Sequence, residues 1–284
     1  MKLKGRVAIV TGGGRGIGKA IALAFAAEGA DVAVVSRTIR EVEGTAKEVR
    51  ALGCRALPMK VDVSDREEVQ GMVSSVMQQF GKVDILVNNA GVQPPIGPVT
   101  ENDPEQWLKT VTINLGGTFL CSRAVLPIMM KCRRGKIVNL SGGGAASPRP
   151  YFTAYAASKA AVVRFTETIA EELKEYNIQV NAMAPGAVNT RMLDEVIAAG
   201  EMAGPKASAE AKRQLKTGAT PLEKAAALAV FLASDESNGL TGRLISAVWD
   251  DWGGMARQAE RILSTDLYTL RRVTSETVGE DRGR

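Results

Sequence analysis

Short β-branched runs alternate with longer stretches of helical period along most of this chain, and that alternation restricts the folds open to it. Val7-Ala8-Ile9-Val10 has the character of a buried strand, followed by a glycine-rich turn and a helical segment from Gly16 to Glu28. Val32 to Val35, a helix around Glu41 to Leu52 and a strand around Arg55 to Val61 come next. Ser64-Asp65 offers an N-cap for a helix ending at Phe80, and Val83 to Val87 is a fourth strand. A helical region from Pro104 to Lys131 is expected to bend near Gly116-Gly117. Lys136 to Leu140 is a fifth strand, Ala154 to Glu175 a long helix and Ile178 to Asn181 a sixth strand. Such β-α alternation predicts an α/β fold: one Rossmann-type, doubly wound parallel sheet with helices on both faces. The expected organisation is a dinucleotide-binding and catalytic domain over residues 1–254. A tail over 255–284 follows, in which Leu263, Leu267 and Leu270 at helical spacing predict a short helix docked on the domain or on a neighbouring subunit.

Composition narrows the chemistry. There is no histidine among 284 residues, so Ser-His-Asp and Cys-His nucleophilic pairs and HExxH zinc sites are excluded. Proton transfer must use Tyr, Lys, Asp, Glu or water. Three scattered cysteines without CxxC spacing fit a reduced, cytoplasmic protein. The longest apolar run, Ala225 to Ala233, is too short to cross a bilayer, and the start lacks a signal-peptide core. The net charge of +5 is dispersed, so neither a nucleic-acid nor a membrane partner is expected. No metal site is expected either: Asp250-Asp251, between Trp249 and Trp252, fit a solvated turn with packed indoles.

Thr11-Gly12-Gly13-Gly14-Arg15-Gly16-Ile17-Gly18 joins the first strand to the first helix. Glycines allow positive φ and close approach of the backbone, and a helix N-terminus presents unpaired N–H groups to a pyrophosphate. The strand-turn-helix setting separates this from a plain tight turn. After the second strand an NAD site would place an acid for the ribose 2′-hydroxyl; this chain has Ser36-Arg37. A guanidinium matches a 2′-phosphate, and Arg15 adds a second cation, so NADP(H) is favoured over NAD(H); two solvated surface arginines are the alternative.

Tyr155 and Lys159 stand four residues apart, on one face of the long helix. A free phenol has a pKa of about 10. A unit charge at about 4 Å in a partly buried site contributes on the order of 4 kcal/mol, about three pKa units. Lys159 is therefore expected to draw Tyr155 towards 7.

With these motifs the chain resembles the short-chain dehydrogenase/reductase family, 3-oxoacyl-[acyl-carrier-protein] reductase-like members in particular, over residues 5 to about 254. The resemblance rests on the glycine turn, Asp62-Val63, Asn88-Asn89-Ala90-Gly91, Asn114 within Ile113-Asn114-Leu115, Tyr155 to Lys159, and Pro185-Gly186. It implies that Asp62 and Val63 lie near the adenine and that Asn88, Ala90 and Gly91 line the adenosine ribose. Gly12, Gly14, Arg15, Gly16, Ile17, Gly18, Ser36 and Arg37 complete that side. Pro185, Gly186 and Val188 would position the nicotinamide carboxamide, with Thr190 near the phosphates. Tyr155 would protonate the carbonyl oxygen, Lys159 would hold the nicotinamide ribose, and Asn114 would anchor a water behind Lys159.

The family's catalytic serine stands thirteen residues before the tyrosine, which here is Gly142. Either a one-residue longer loop brings Ser141 into that role or the serine is lost; Ser141, directly after a strand, is the expectation adopted. The implied activity is hydride transfer between a nicotinamide and a carbonyl or alcohol substrate, such as a 3-oxoacyl thioester. The substrate would lie under residues 189–220, where Met192, Leu193, Val196, Ile197 and Met202 are apolar and Lys206, Lys212, Arg213 and Lys216 are basic. A cofactor-binding sensor or scaffold with little turnover is the rival reading. Relatives of this kind imply a homotetramer or homodimer.

Overall fold

The computed structural model describes residues 1–274. Its seven strands form one sheet in which every pair is parallel. They are β1 Val7–Thr11, β2 Asp31–Ser36, β3 Ala56–Lys60, β4 Ile85–Asn88, β5 Gly135–Leu140, β6 Ile178–Ala184 and β7 Leu244–Ser246, in the order β3-β2-β1-β4-β5-β6-β7. The helices between them are α1 Gly16–Ala27, α2 Ile39–Ala51, α3 Arg66–Phe80, α4 Pro104–Val111, α5 Gly117–Cys132, α6 Thr153–Glu172, α7 Arg191–Ala199, α8 Gly204–Thr217 and α9 Leu222–Ala233. The sheet is covered on both faces, which is why β1, β4 and β5 are buried at every position. Alternate residues feed opposite cores. Ala8, Val10, Val32, Val34, Ile85 and Val87 pack with Phe25 of α1, Val42 of α2 and Phe231 of α9. Val7, Ile9, Ala33, Val35 and Leu86 pack with Val76 of α3, Val125 of α5 and Ile169 of α6.

Strand order reverses between β1 and β4. Connections leave β1 towards β2 and β3 and then return to β4, so the loops at the carboxyl ends of β1 and β4 diverge and open a crevice. Local chemistry supports the frame. Asp65 caps α3 by accepting from Glu67 and Glu68 N–H groups at 2.8 and 2.9 Å, as its type and position predict.

Three features differ from the sequence expectation. The helical region from Pro104 continues to Cys132 through a π-helical segment, Thr112–Gly116, which interrupts the regular helix at the place where Gly116-Gly117 suggested a bend. With a mean hydropathy of 1.3 over its most apolar stretch, Pro104–Cys132 is long and apolar enough to cross a membrane by length and composition. Here α5 packs against α3, β4 and β5, and that face supplies its apolar character. A seventh strand and α9 extend the sheet beyond the six strands legible from periodicity; β7 is only three residues long, too short for a pattern.

The tail is the third. Among the described residues of the tail, a 3-10 helix over Trp252–Gln258 leads into α10, Ala259–Leu263, a short helix docked on the core through Ile262; thereafter the chain turns at Leu267-Tyr268 against β7. Leu244 N–H donates to Tyr268 O at 2.8 Å, and Leu270 N–H donates to Glu167 Oε1 at 2.7 Å. Leu270 packs beside Ala145, Val163 and Ala182, while Leu263 and Leu267 are about two-fifths exposed. The helix stops at Leu263, short of the expected spacing: Tyr268, at φ +62°, turns the chain so that its carbonyl meets an unpaired N–H at the edge of β7. The expected tail beyond Thr274 lies outside the described residues.

Candidate active site

The crevice at the strand-order reversal is a groove of about 570 Å³. Of the expected cofactor residues, it is lined by Gly12, Arg15, Gly16, Ile17, Gly18, Ser36, Arg37, Asp62, Val63, Ala90, Gly91 and Thr190. Two glycines fix its shape. Gly12 has φ +63°, and a Cβ on Gly18 would fall 2.2 Å from Gly12 O, so no side chain fits between turn and helix. Arg15, the N-cap of α1, makes no side-chain cap bond, which leaves the first-turn N–H groups facing the groove free of side-chain caps. These features fit a dinucleotide pyrophosphate. At the adenosine end, Arg37 is exposed beside Asp62. Burial pushes the Asp62 carboxyl up, but hydrogen bonds from Ser64 Oγ at 2.6 Å and Ser64 N at 2.9 Å, then the charges of Arg37 and Lys109, hold it below its ordinary value.

Other expected residues sit elsewhere. Gly14 backs onto α2, where a Cβ would meet Glu41 at 2.7 Å. Pro185, Gly186 and Val188 follow β6 outside the groove lining; Gly186 turns with φ +89° against Thr220 and Val248. Asn88 points into the sheet, donating to Asn139 Oδ1 at 2.8 Å and Ser122 Oγ at 3.1 Å. Strand alternation hands the groove to its neighbour instead. Asn89 Nδ2 donates to Thr11 O at 2.9 Å and Gly12 O at 3.1 Å, clipping the glycine turn to the end of β4. Asn89 stood in the quoted motif, and period-two reasoning would have found it. Met192, expected over the substrate, lines the groove as well, and so do Glu41, Arg191 and Glu195, which carry no sequence signal. Glu41 lies 4.0 Å from Arg15 Nε; burial raises the Glu195 carboxyl, opposed by Arg191 and Arg15.

None of the four expected catalytic residues lines the groove itself; the nearest approach is behind Gly91, which does. Gly91 forms the junction: a Cβ there would lie 3.1 Å from Asn114 Oδ1 and 3.5 Å from Lys159 Nζ. Asn114 sits in the π-helical segment, a deviation that turns a side chain off the regular helical spacing. Its Oδ1 accepts from Val92 N at 2.8 Å, and its Nδ2 donates to Val92 O and Ser158 Oγ, both at 2.9 Å. On α6, the phenol of Tyr155 and the ammonium of Lys159 share a face, with Nζ 5.7 Å from the ring centroid.

Two expectations are corrected here. Ser141 does not face the phenol: its Oγ donates to Lys159 O at 3.2 Å. The residue that faces the phenol is Gly142, where a Cβ would lie 2.8 Å from Tyr155 Oη. The loop before α6 therefore keeps the family's spacing, and it is the hydroxyl that is missing. Nor does Lys159 draw Tyr155 towards 7. Lys159 Nζ donates to Leu140 O at 2.7 Å, and burial brings its own pKa down to about 8. Burial holds the Tyr155 phenol above its ordinary value, and the charge opposing that rise belongs to Arg149.

Burial at Tyr155 comes from α7 and α8. Leu193, Val196, Ala203 and Ala211 pack with Phe152 and Tyr155, so the segment expected over the substrate is seated on the phenol. Ile197 and Met202 are exposed, and Lys206, Lys212, Arg213 and Lys216 all lie on the solvent face of α8.

Comparison with known proteins agrees with this geometry. Residues 6–200 match the family model for short chain dehydrogenases. The 3-oxoacyl-[acyl-carrier-protein] reductase FabG of Thermotoga maritima is 37% identical over 86% of this chain and 97% of its own length. The 3beta-hydroxysteroid dehydrogenase 1 of Eggerthella lenta is 39% identical over 84% and 91%. Among solved structures, an NAD+-bound xylitol dehydrogenase superposes with a TM-score of 0.81 at 32% identity, covering 87% of this chain and 98% of its own. A levodione reductase gives a TM-score of 0.80 at 31% identity over 90% and 99%. The chain therefore belongs to the short-chain dehydrogenase family, as an oxidoreductase acting between CH–OH and C=O groups with a nicotinamide cofactor.

Proposed function

We propose that this chain is an NADP(H)-dependent reductase of carbonyl substrates, or the corresponding alcohol dehydrogenase in reverse. The observation that carries it is Gly91, which lines the nucleotide groove and where a Cβ would lie 3.1 Å from Asn114 Oδ1 and 3.5 Å from Lys159 Nζ, the latter beside Tyr155 on α6. Preference for NADP(H) is supported by Ser36-Arg37 and Arg15 and by the lack of an acid at the end of β2. The nicotinamide supplies the hydride when bound. Tyr155 Oη gives its proton to the carbonyl oxygen as the carbonyl carbon gains the hydride, which balances the step as an alcohol. Lys159, fixed by Leu140 O, holds the ribose, and Asn114, locked by Val92 and Ser158, keeps the π-helical turn in place behind it.

A 3-oxoacyl thioester is the favoured substrate. Apolar Leu193 and Val196 face Tyr155, cations lie outside on α8, and a cavity of about 300 Å³ between α7 and α8 is lined by Val196, Ile197, Pro205 and Ala211. We further infer a cytoplasmic homodimer or homotetramer. In support, α4 and α5 expose Leu108 and Phe119 at 60% and 46%. A second reading, a cofactor sensor with little turnover, is favoured by the missing hydroxyl at Gly142.

NADPH oxidation with a panel of 3-oxoacyl thioesters, steroids, sugars and small ketones, repeated on Tyr155→Phe, tests both. Turnover lost by at least about a thousandfold in Tyr155→Phe, with NADPH binding retained, supports the reductase. NADPH binding without Tyr155-dependent turnover supports the sensor and overturns the reductase.

A further inference from the structure

The loop between β5 and α6 brings a guanidinium onto the rings that surround the proposed proton donor. Gly144, at φ +97°, packs so tightly against α6 that a Cβ would lie 2.9 Å from Ala156 Cβ; this turn folds the following residues back over the helix start. Arg149 Cζ then sits 3.9 Å from the centroid of Phe152 and 5.3 Å from that of Tyr155. Its Nη1 donates to Gln93 Oε1 at 3.2 Å. Gln93 is itself 2% exposed and donates from Nε2 to Met192 O at 3.1 Å, so the guanidinium is held between the β4 loop and the start of α7. Among the described residues Arg149 forms no ion pair within 4.0 Å.

The charged surroundings of the phenol are few. Lys159 lies on the same helix, with its ammonium tied to Leu140 O. Arg149 comes from the preceding loop, and Glu210 of α8 acts on Arg149. From α7 and α8 the groups packed on Tyr155 are the apolar Leu193, Val196 and Ala211. A buried phenol must lose its proton at each reduction and regain it at each oxidation, and burial alone makes the phenolate costly. With Gly142 in the serine position, no hydroxyl is present there to share that charge.

We propose that Arg149 is a positioning residue whose guanidinium stabilises the Tyr155 phenolate, a task that the missing serine hydroxyl leaves to it. The inference rests on Tyr155 being the proton donor. The guanidinium carbon lies 5.3 Å from the centroid of the ring over which a phenolate's charge spreads, near enough in partly buried surroundings to shift the phenol by on the order of one pH unit. Burial raises Tyr155, and Arg149 is the one charge that opposes it, which agrees in sign with the geometry.

The test uses full-length protein with NADP(H). Tyrosinate absorbance is titrated in the wild type, Tyr155→Phe, Arg149→Met and Arg149→Lys; the Tyr155→Phe difference isolates one of the four tyrosines. The pH profile of kcat/KM for alcohol oxidation is measured in parallel. Arg149→Met is expected to move the Tyr155 titration and the acidic limb of that profile upward by about one unit, with about a tenfold loss of oxidation one unit below the wild-type limb. Arg149→Lys is expected to restore most of both. Should Arg149→Met fail to fold, Arg149→Gln keeps the polar reach to Gln93 without the charge. A Tyr155 titration unmoved in the Met or Gln variant overturns the proposal, even if thermal stability falls. A Tyr155 titration that moves in Arg149→Met while the wild type shows no turnover upholds the electrostatic role of Arg149 and overturns the proposed reductase in favour of the sensor.

Discussion

A Cβ on Gly142 would stand 2.8 Å from the hydroxyl of Tyr155, whereas the neighbouring Ser141 turns its own hydroxyl to the backbone of Lys159. Two adjacent residues on one loop thus divide between facing the phenol and facing the helix.

Ser141→Ala should therefore keep kcat/KM within about threefold of wild type. Its cost is one hydrogen bond to Lys159 O, about 1 kcal/mol of unfolding free energy by urea denaturation. A loss of a hundredfold or more in activity would return Ser141 to the catalytic role.

Arg37→Asp places a carboxylate where a 2′-phosphate would lie and removes the guanidinium opposite it. The ratio of kcat/KM for NADPH over NADH is expected to fall at least tenfold, mostly through KM for NADPH. Unchanged NADPH affinity would contradict the cofactor assignment.

Lys159 gives stability a pH signature. Its folded pKa, lowered by burial to about 8, lies below the ordinary lysine value of 10.5, so the folded state binds fewer protons than the unfolded state between those values. The cost of holding it charged is present in full below about pH 8 and relieved as pH rises towards 10.5. Lys159→Met removes that term. The stability difference between wild type and Lys159→Met should move in favour of wild type by on the order of a few kcal/mol from pH 7 to pH 10, read by chemical denaturation at each pH. A flat difference would show that the ammonium is solvated.

Truncation after Ser264 should strip the end of the chain from β7, leaving Leu244 N–H and Glu167 without their partners at Tyr268 and Leu270. Loss of these two hydrogen bonds, of those from Arg164 to Leu270 O and Arg243 to Thr265 O, and of the Leu270 packing corresponds to about 2–4 kcal/mol. The melting temperature is expected to fall by several degrees, with aggregation through the uncovered edge detected by light scattering. An unchanged melting temperature would mean that segment carries no stability.

Much of the frame was legible in the residues. Val7-Ala8-Ile9-Val10, the glycine turn and the helix from Gly16 lie where periodicity placed them, because each is specified by residues within a few positions of one another. Asp65 before α3 is legible for the same reason. Asn88 and Asn89 were not separable until β4 was registered against β1 and β5, since the register decides which amide meets Asn139 and which meets the glycine turn. The spacing of Leu263, Leu267 and Leu270 could not reveal where the helix ends or that Tyr268 meets β7, because that partner is an edge strand displaced from it in sequence.

By itself, the sequence determined a parallel doubly wound sheet, a dinucleotide turn and a Tyr155-Lys159 pair on one helical face in a chain without histidine. These follow from local periodicity, conformational freedom at glycine and side-chain chemistry. Only the tertiary structure decided that Gly142 rather than Ser141 faces the phenol, that Lys159 spends its ammonium on Leu140 O, and that Arg149 lies over Tyr155. Each of those is a contact between segments brought together by loop closure and burial. A desolvated group takes whichever partner the packed chain presents, and spacing along the sequence does not encode that choice.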